Sequence, residues 1–316
     1  MVKEDFLKKH LKTFYATERN ISDSKNIFSK YMLNRVYHLF KDPFAHILLK
    51  KILKKNGVTK PLNSPIDRFL LNEGGMNKTR VYKINDNLSK IKGKKILVQG
   101  CGFGKNIQYI IEFKPKKIIA FDLYEYSKEW KYLEEYARQR GVKIKFLKDD
   151  MSKISKKYPE YFDFIVSDAV LEHVKDLSLF MERSYNVLKS GGCFYASFGP
   201  LWFGPSGDHV YWGKDRIYDH LLLSEEEYLN NVKERHKQGE FDSFDLINEK
   251  LFSYKKVSEY LKIFKLNGFI KEKIFAKVST RAIRLLKNKK LGQELDKKKV
   301  PKFDRYCPGL YVWLGK

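Results

Sequence analysis

Cysteine is nearly missing from this 316-residue chain: there are three, Cys101, Cys193 and Cys307, scattered and odd in number. That spacing excludes a disulfide framework and a cysteine metal site, and it fits a reducing, cytoplasmic compartment. Long apolar runs are also missing. No stretch approaches the roughly 18 residues that a membrane-spanning helix needs. The opening MVKEDFLKKH lacks the apolar core of a signal peptide. Negative charge is in the minority: 38 Asp+Glu stand against 63 Lys+Arg, a formal net charge of +25.

Such a balance suits a polyanion or an anionic membrane surface. Within it, however, arginine is scarce. Arginine is the better phosphate fork, and its scarcity takes weight from a nucleic-acid partner. Abundant Lys, Ile, Asn and Tyr are equally what an AT-rich genome places on solvated faces. Bare charge is a weak signal by itself.

What is present is a core: 43% of residues are apolar and 15% aromatic, enough for one or two packed domains. Residues 1–85 read as a helical extension. In DPFAHILLKKILKK, Asp42 is an N-cap and Pro43 a first helical residue. Phe44, Ile47, Leu48, Ile52 and Leu53 recur at helical spacing among lysines. That stripe fits packing on the protein itself or peripheral contact with an anionic membrane at the inner membrane face. PLNSP, residues 61–65, reads as a linker.

From residue 86 to 316 the pattern becomes short apolar runs alternating with helices. KKILVQ, KKIIAFD, KIKFLKD, YFDFIVSD and CFYASFG read as strands. KNIQYIIEF, SKEWKYLEEYARQR and LSLFMERSYNVLKS read as helices, the second with Ser127 as a cap and the third ending at Gly191–Gly192. The alternation predicts an α/β domain: a doubly wound, mostly parallel sheet with helices on both faces. Ligands of such sheets sit beyond the C-terminal strand ends. A lid insertion, about residues 200–252, follows the fifth strand.

One strand end carries ILVQGCGFG, residues 96–104. The turn is not a dinucleotide fingerprint, since its third glycine would fall at Lys105. Nor is it a P-loop, because Asn106 follows Gly104–Lys105. Asp122 ends the second strand, where a carboxylate can accept from a ribose diol. Asp149, Asp150 and Met151 end the third, where a carboxylate and a backbone amide can meet an adenine.

With FDFIVSDAVLEHV and NVLKSGG following in order, residues 95–200 resemble the class I S-adenosylmethionine-dependent methyltransferases, especially those acting on small molecules, lipids and sugars. FKLNGFIKEKIF and GLYVWLGK look like that family's last two strands. The resemblance implies a Rossmann-like seven-stranded sheet and S-adenosyl-L-methionine as cofactor. By the same likeness, Gln99, Gly100, Cys101, Gly102 and Gly104 would approach the methionine part and Asp122 and Leu123 the ribose. Asp150 and Met151 would frame the adenine, and Asp168 would lie by the amino-acid end. The family usually carries an acid two residues before the first glycine. Here that position is Val98, with Gln99 beside it as a neutral substitute.

Methyl transfer to a hydroxyl needs a proton acceptor, and histidine suits the task. His173, in VLEHV, and His209, in FGPLWFGPSGDHVYWG, are the candidates. Trp202, Phe203, Tyr211 and Trp212 surround His209 in sequence and suit a sugar ring or an apolar pocket. Asp208 and His209 are only two ligands, so no metal is expected. The expected activity is O-methylation of a small-molecule, sugar or lipid-linked glycan hydroxyl. An RNA methyltransferase is the alternative, and a non-catalytic cofactor-binding relative a third. No RNA-binding module is recognisable, and the acidic run Glu225–Glu227 interrupts any continuous basic track.

Overall fold

The computed structural model describes residues 12–15, 89–104, 106–210, 216–237 and 244–316. The Asp42–Lys55 stretch, the PLNSP linker, Tyr211 and Trp212 lie outside the described residues. The sheet is formed by β1 (Lys12–Tyr15), β2 (Lys95–Gln99), β3 (Lys117–Asp122), β4 (Lys143–Lys148), β5 (Phe162–Asp168), β6 (Leu188–Phe198), β7 (Ile270–Val278) and β8 (Leu310–Gly315). Its order is β1-β7-β8-β6-β5-β2-β3-β4. Only β8 runs antiparallel to its neighbours. Strands β2–β8 are the seven expected from sequence.

β1 is a correction: KTFY falls in the segment read as helical, yet it pairs in parallel with the edge of β7, Lys12 opposite Phe275. Four residues are too few to show a period, and an open sheet edge supplies the hydrogen bonds that a short isolated helix would lack.

The first helices are α1 (Ile107–Glu112), α2 (Ser127–Arg138), α3 (Met151–Lys157) and α4 (Leu177–Val187). Two sequence-based boundaries move. Tyr126, not Ser127, is the N-cap of α2, because the Ser127 hydroxyl donates to Glu125 instead. The α4 helix stops at Val187, and the Lys189–Gly192 segment is already strand, since Leu188 pairs with Phe162 across a bulge.

Strand alternation builds two apolar layers. Leu97, Ile119, Phe121, Ile165 and Phe194 meet Met181, Val187, Tyr260 and Phe264 on one face. Ile96, Val98, Ile118, Phe164 and Val166 meet Ile107, Ile111, Trp130 and Leu133 on the other. Each fully buried aliphatic side chain contributes about 1.5–3 kcal/mol.

Between β6 and β7 come α5 (Asp219–Leu222), α6 (Glu225–Lys237), α7 (Phe244–Asn248) and α8 (Val257–Leu266). The expected insertion therefore exists, and it has an apolar centre of its own: Val210, Tyr228, Val232, Ile247 and Phe252. A second insertion, α9 (Thr280–Leu285) and α10 (Lys289–Lys297), separates β7 from β8. No helix among the described residues is long and apolar enough to cross a membrane.

The chain leaves β2 toward β3 on one side and β5 toward β6 on the other. The switch point thus lies between β2 and β5, where a crevice must open at the strand ends. At that turn Gly104 has φ +82, and an added Cβ would sit 2.3 Å from Leu133 Cδ1. Gly104→Ala is expected to destabilise the protein by about 1–3 kcal/mol through strain and overpacking. A lower urea midpoint at unchanged slope checks it.

Candidate functional site

The crevice is a cleft of about 700 Å³ that opens against Gly100, Phe121, Asp122, Leu123, Asp150 and Met151. Its floor is the glycine turn. Gly100 (φ +55) packs so closely on Val170 that a Cβ would come within 2.4 Å of it. The Gly102 amide donates to Asp122 Oδ2 at 2.7 Å, and Trp130 Nε1 donates to the Gly102 carbonyl at 2.8 Å. Asp122 Oδ1 accepts from the Tyr124 amide at 3.1 Å. Each carboxylate oxygen has spent one lone pair on the fold and keeps another for a ligand. Beside it, Leu123 is 63% exposed and gives the cleft an apolar rim.

At the end of β4, Asp150 caps α3: its Oδ1 takes the Ser152 amide at 2.7 Å and the Lys153 amide at 3.1 Å. The Ser152 hydrogen bond, opposed by some burial, holds the Asp150 carboxyl below its usual range. The cap occupies one oxygen and leaves Oδ2. Met151, first in the helix, lines the cleft with an amide that no helical carbonyl can take.

Two of the sequence candidates, Gln99 and Cys101, place their side chains in the packed layers. Gln99 is fully buried on the far face from Val98. Its amide donates to Ser184 Oγ at 2.9 Å and to Met151 Sδ at 3.3 Å, so it braces the layer beneath the cleft instead of facing a cofactor. Val98 is buried among the α1–α2 contacts. Cys101 packs against that same cluster, and burial, with Asp122 adding to it, pushes its thiol up. Asp168 does turn toward the glycine turn, where Asn106 Nδ2 donates to its Oδ2 at 2.5 Å. The Asn106 partnership was not foreseen, although Asn at the mouth of a strand–turn–helix unit is the signal that could have found it.

The two candidate histidines do come together. Their rings lie 4.9 Å apart, edge to face, and each also packs on Phe252. His173 lines the cleft; its Nδ1 bonds the Leu251 carbonyl at 2.8 Å, which leaves Nε2. His209 Nε2 bonds the Pro200 carbonyl at 3.2 Å, which leaves Nδ1. Burial lowers the pKa of both. For His209, burial with His173 alongside brings it to about 4. Both rings are therefore neutral at pH 7.

His209 holds φ +65, a conformation that costs a non-glycine residue about 1–3 kcal/mol. Its neighbour Asp208 supplies the restraint. Asp208 is wholly buried, accepts from Tyr228 Oη at 3.0 Å and lies 3.8 Å from His220 Nδ1. His220 Nε2 in turn bonds the Trp202 carbonyl at 2.7 Å. Burial lowers the His220 pKa despite Asp208, so that ring braces the loop as a neutral group. The Asp208–His209 pair was thus only half of the chemistry. Asp208 faces the insertion, and His209 faces Glu172 and His173.

Glu172 was not anticipated. It is 2% exposed, its Oε1 accepts from the Gly199 amide at 2.7 Å, and burial raises its carboxyl to about 7.

A family described as "Methyltransferase domain" matches residues 97–196. The ubiquinone biosynthesis O-methyltransferase of Pseudomonas putida (strain W619) is 28% identical over 122 residues, 39% of this chain and 51% of that protein. The mitochondrial enzyme of the same name from Rattus norvegicus is 28% identical over 130 residues, 38% of each chain. The match thus spans about half or less of these curated relatives' length. An S-adenosylmethionine-dependent methyltransferase structure from Mesorhizobium loti aligns with TM-score 0.45 at 20% identity, over 74% of this chain and 96% of that one.

Tyr228→Phe removes the hydroxyl that Asp208 Oδ2 depends on. It is expected to cost about 1–3 kcal/mol, the range for a buried acceptor that loses a donor. A fall in the thermal midpoint checks it, and an unchanged midpoint assigns the restraint elsewhere.

Proposed function

We propose that this chain, whose residues 97–196 form a class I S-adenosylmethionine-dependent methyltransferase domain, methylates a hydroxyl on a small molecule with an apolar body, free or lipid-linked. The observation that carries this reading is the cleft. The Asp122 carboxylate, the glycine turn and His173 share it with Leu179, Phe180, Leu246 and Leu251.

The residues fit the cofactor. Asp122 keeps two lone pairs for a ribose diol, Met151 keeps a backbone amide for the adenine edge, and Gly100 leaves no bulk on the floor. When bound, S-adenosylmethionine supplies a methyl group already activated on a sulfonium sulfur. The protein's share is then alignment, water exclusion and custody of the acceptor's proton. Leu246 and Leu251 come from the insertion and cover the apolar side. His173 Nε2 and His209 Nδ1 are the neutral acceptors next to the cleft.

The names of the curated relatives support a hydroxyl as the acceptor. The apolar lining favours a quinol-like, aryl or lipid acceptor over a bare sugar, and a glycan fits best when lipid-linked. The cleft's charges are mixed, Lys175 and Arg183 with Asp176 and Glu249, which does not suit a nucleic-acid strand. The +25 charge of the whole chain remains the argument for that alternative.

Two substitutions test the reading. Asp122→Ala is expected to weaken S-adenosylhomocysteine binding roughly 100-fold, from two charge-assisted hydrogen bonds. Calorimetry measures it, and unchanged affinity removes the cofactor assignment. His209→Ala is expected to lower turnover about 100-fold or more with S-adenosylhomocysteine affinity intact. Full turnover in that variant, with an acceptor found by screening apolar hydroxyl compounds, excludes His209 from the chemistry.

A further inference from the structure

Proton transfer by the two rings leaves one feature unexplained: Glu172, buried beside both of them, has no part in it.

One ligand atom from each of Glu172, His173 and His209 lies within 4.8 Å of the other two. Glu172 Oε1 is held by Gly199, while Oε2 is buried with no hydrogen-bond partner. A carboxylate oxygen shut away from water and from donors costs about 1–3 kcal/mol or more, so its place in the fold calls for a ligand. The histidines are arranged to match. Each bonds a backbone carbonyl through one nitrogen, Leu251 for His173 and Pro200 for His209. That is the outer bond that fixes ring orientation in metal-ligating histidines, and it leaves one nitrogen per ring. The loop that presents His209 is strained at that residue and braced by the buried Asp208.

We infer that Glu172, His173 and His209 form a binding site for a divalent first-row transition ion, of the zinc or manganese class, at the wall of the cleft. Two imidazoles and one carboxylate are the donor set of such ions; magnesium and calcium prefer all-oxygen shells. Three protein ligands leave a coordination position open, and His173 borders the cleft from which an acceptor can fill it.

The ion's role, though not its binding, rests on the proposed hydroxyl methylation. An acceptor hydroxyl on the ion loses its proton to solvent. The resulting oxyanion forms a bond to the methyl carbon as the carbon–sulfur bond breaks, and that electron pair leaves with sulfur as a neutral thioether. The ion stabilises that oxyanion, so no side chain need hold the acceptor's proton.

The test uses the full chain, untagged and stripped with a chelator, titrated with Co²⁺ alone and followed by visible absorption, with Zn²⁺ as competitor. One equivalent is expected to bind with ligand-field bands and to be displaced by Zn²⁺. Glu172→Gln, nearly isosteric, and separately His173→Asn and His209→Ala, are each expected to weaken binding more than about tenfold, the lower end for loss of even an outer partner. Far-ultraviolet circular dichroism and S-adenosylhomocysteine titration check that each variant is folded. No binding by the wild type, or binding unchanged in every folded variant, overturns the site. Methyl transfer plays no part in these readings, so failure of the hydroxyl reading shows separately, as an ion-loaded protein that methylates no hydroxyl.

Discussion

The cleft depends on one carboxylate reached from two directions. Asp122 ends β3 and takes the Gly102 amide at 2.7 Å on one oxygen and the Tyr124 amide at 3.1 Å on the other. The first bond ties the turn after β2 to the end of β3; the second folds the chain after β3 back under its own strand end. Trp130 closes the frame by donating to the Gly102 carbonyl from α2. The turn is therefore preorganised: the Gly102 amide and carbonyl are held by side chains of β3 and α2, and the Cys101 amide by the Phe121 carbonyl, not by a ligand. Such a floor costs little further ordering when a nucleoside arrives, which is how a site on a rigid scaffold gains affinity.

The opposite wall is built on a different principle. The loop after β6 is short of regular structure, yet it presents His209 in a strained conformation. The strain is offset by a buried cluster in which Tyr228 donates to Asp208, His220 bonds the Trp202 carbonyl, and Asp208 lies 3.8 Å from the His220 ring. Buried polar groups of this kind are costly when incomplete and rigid when complete. The insertion helix α6, which contributes Tyr228, thus helps to position the residue that meets His173. A segment that looks from composition like a charged cover is also part of the machinery that orients the site.

Much of this was visible in the sequence, and for identifiable reasons. Short continuous apolar runs mark β2 and β3 and a 3.6 period marks α2, so the alternation of strands and helices and the strand-end residues Asp122, Asp150 and Asp168 follow from pattern. The β1 strand was invisible because KTFY is too short to carry a period and acquires its partner only at the tertiary level. The end of α4 was misjudged because Gly191–Gly192 reads as a helix stop, while the β-bulge opposite Phe162 lets the strand begin at Leu188. The triad of Glu172, His173 and His209 could not be read either: its members stand 37 positions apart at the extremes, and only the return of the loop from β6 joins them. Spacing rules find ligands on one element and miss ligands brought together by a crossover.

The departure at Val98–Gln99 has a physical reading that the sequence could only pose as a question. Alternation along β2 forces the two side chains to opposite faces. Gln99 therefore enters the α4 layer, where Ser184 and Met151 take its amide, and Val98 enters the α1–α2 layer. Neither side chain is available to a ligand, so the work that an acid two residues before the first glycine would do must be carried by other groups. Asp168 stands at the adjoining strand end and is already fastened to Asn106 across the switch point. A carboxyl group there, oriented by the Asn106 amide just past the glycine turn, stands beside the turn, and β2 itself carries none. The carboxylates at the crevice thus stand at the ends of β3, β4 and β5, and none lies inside β2.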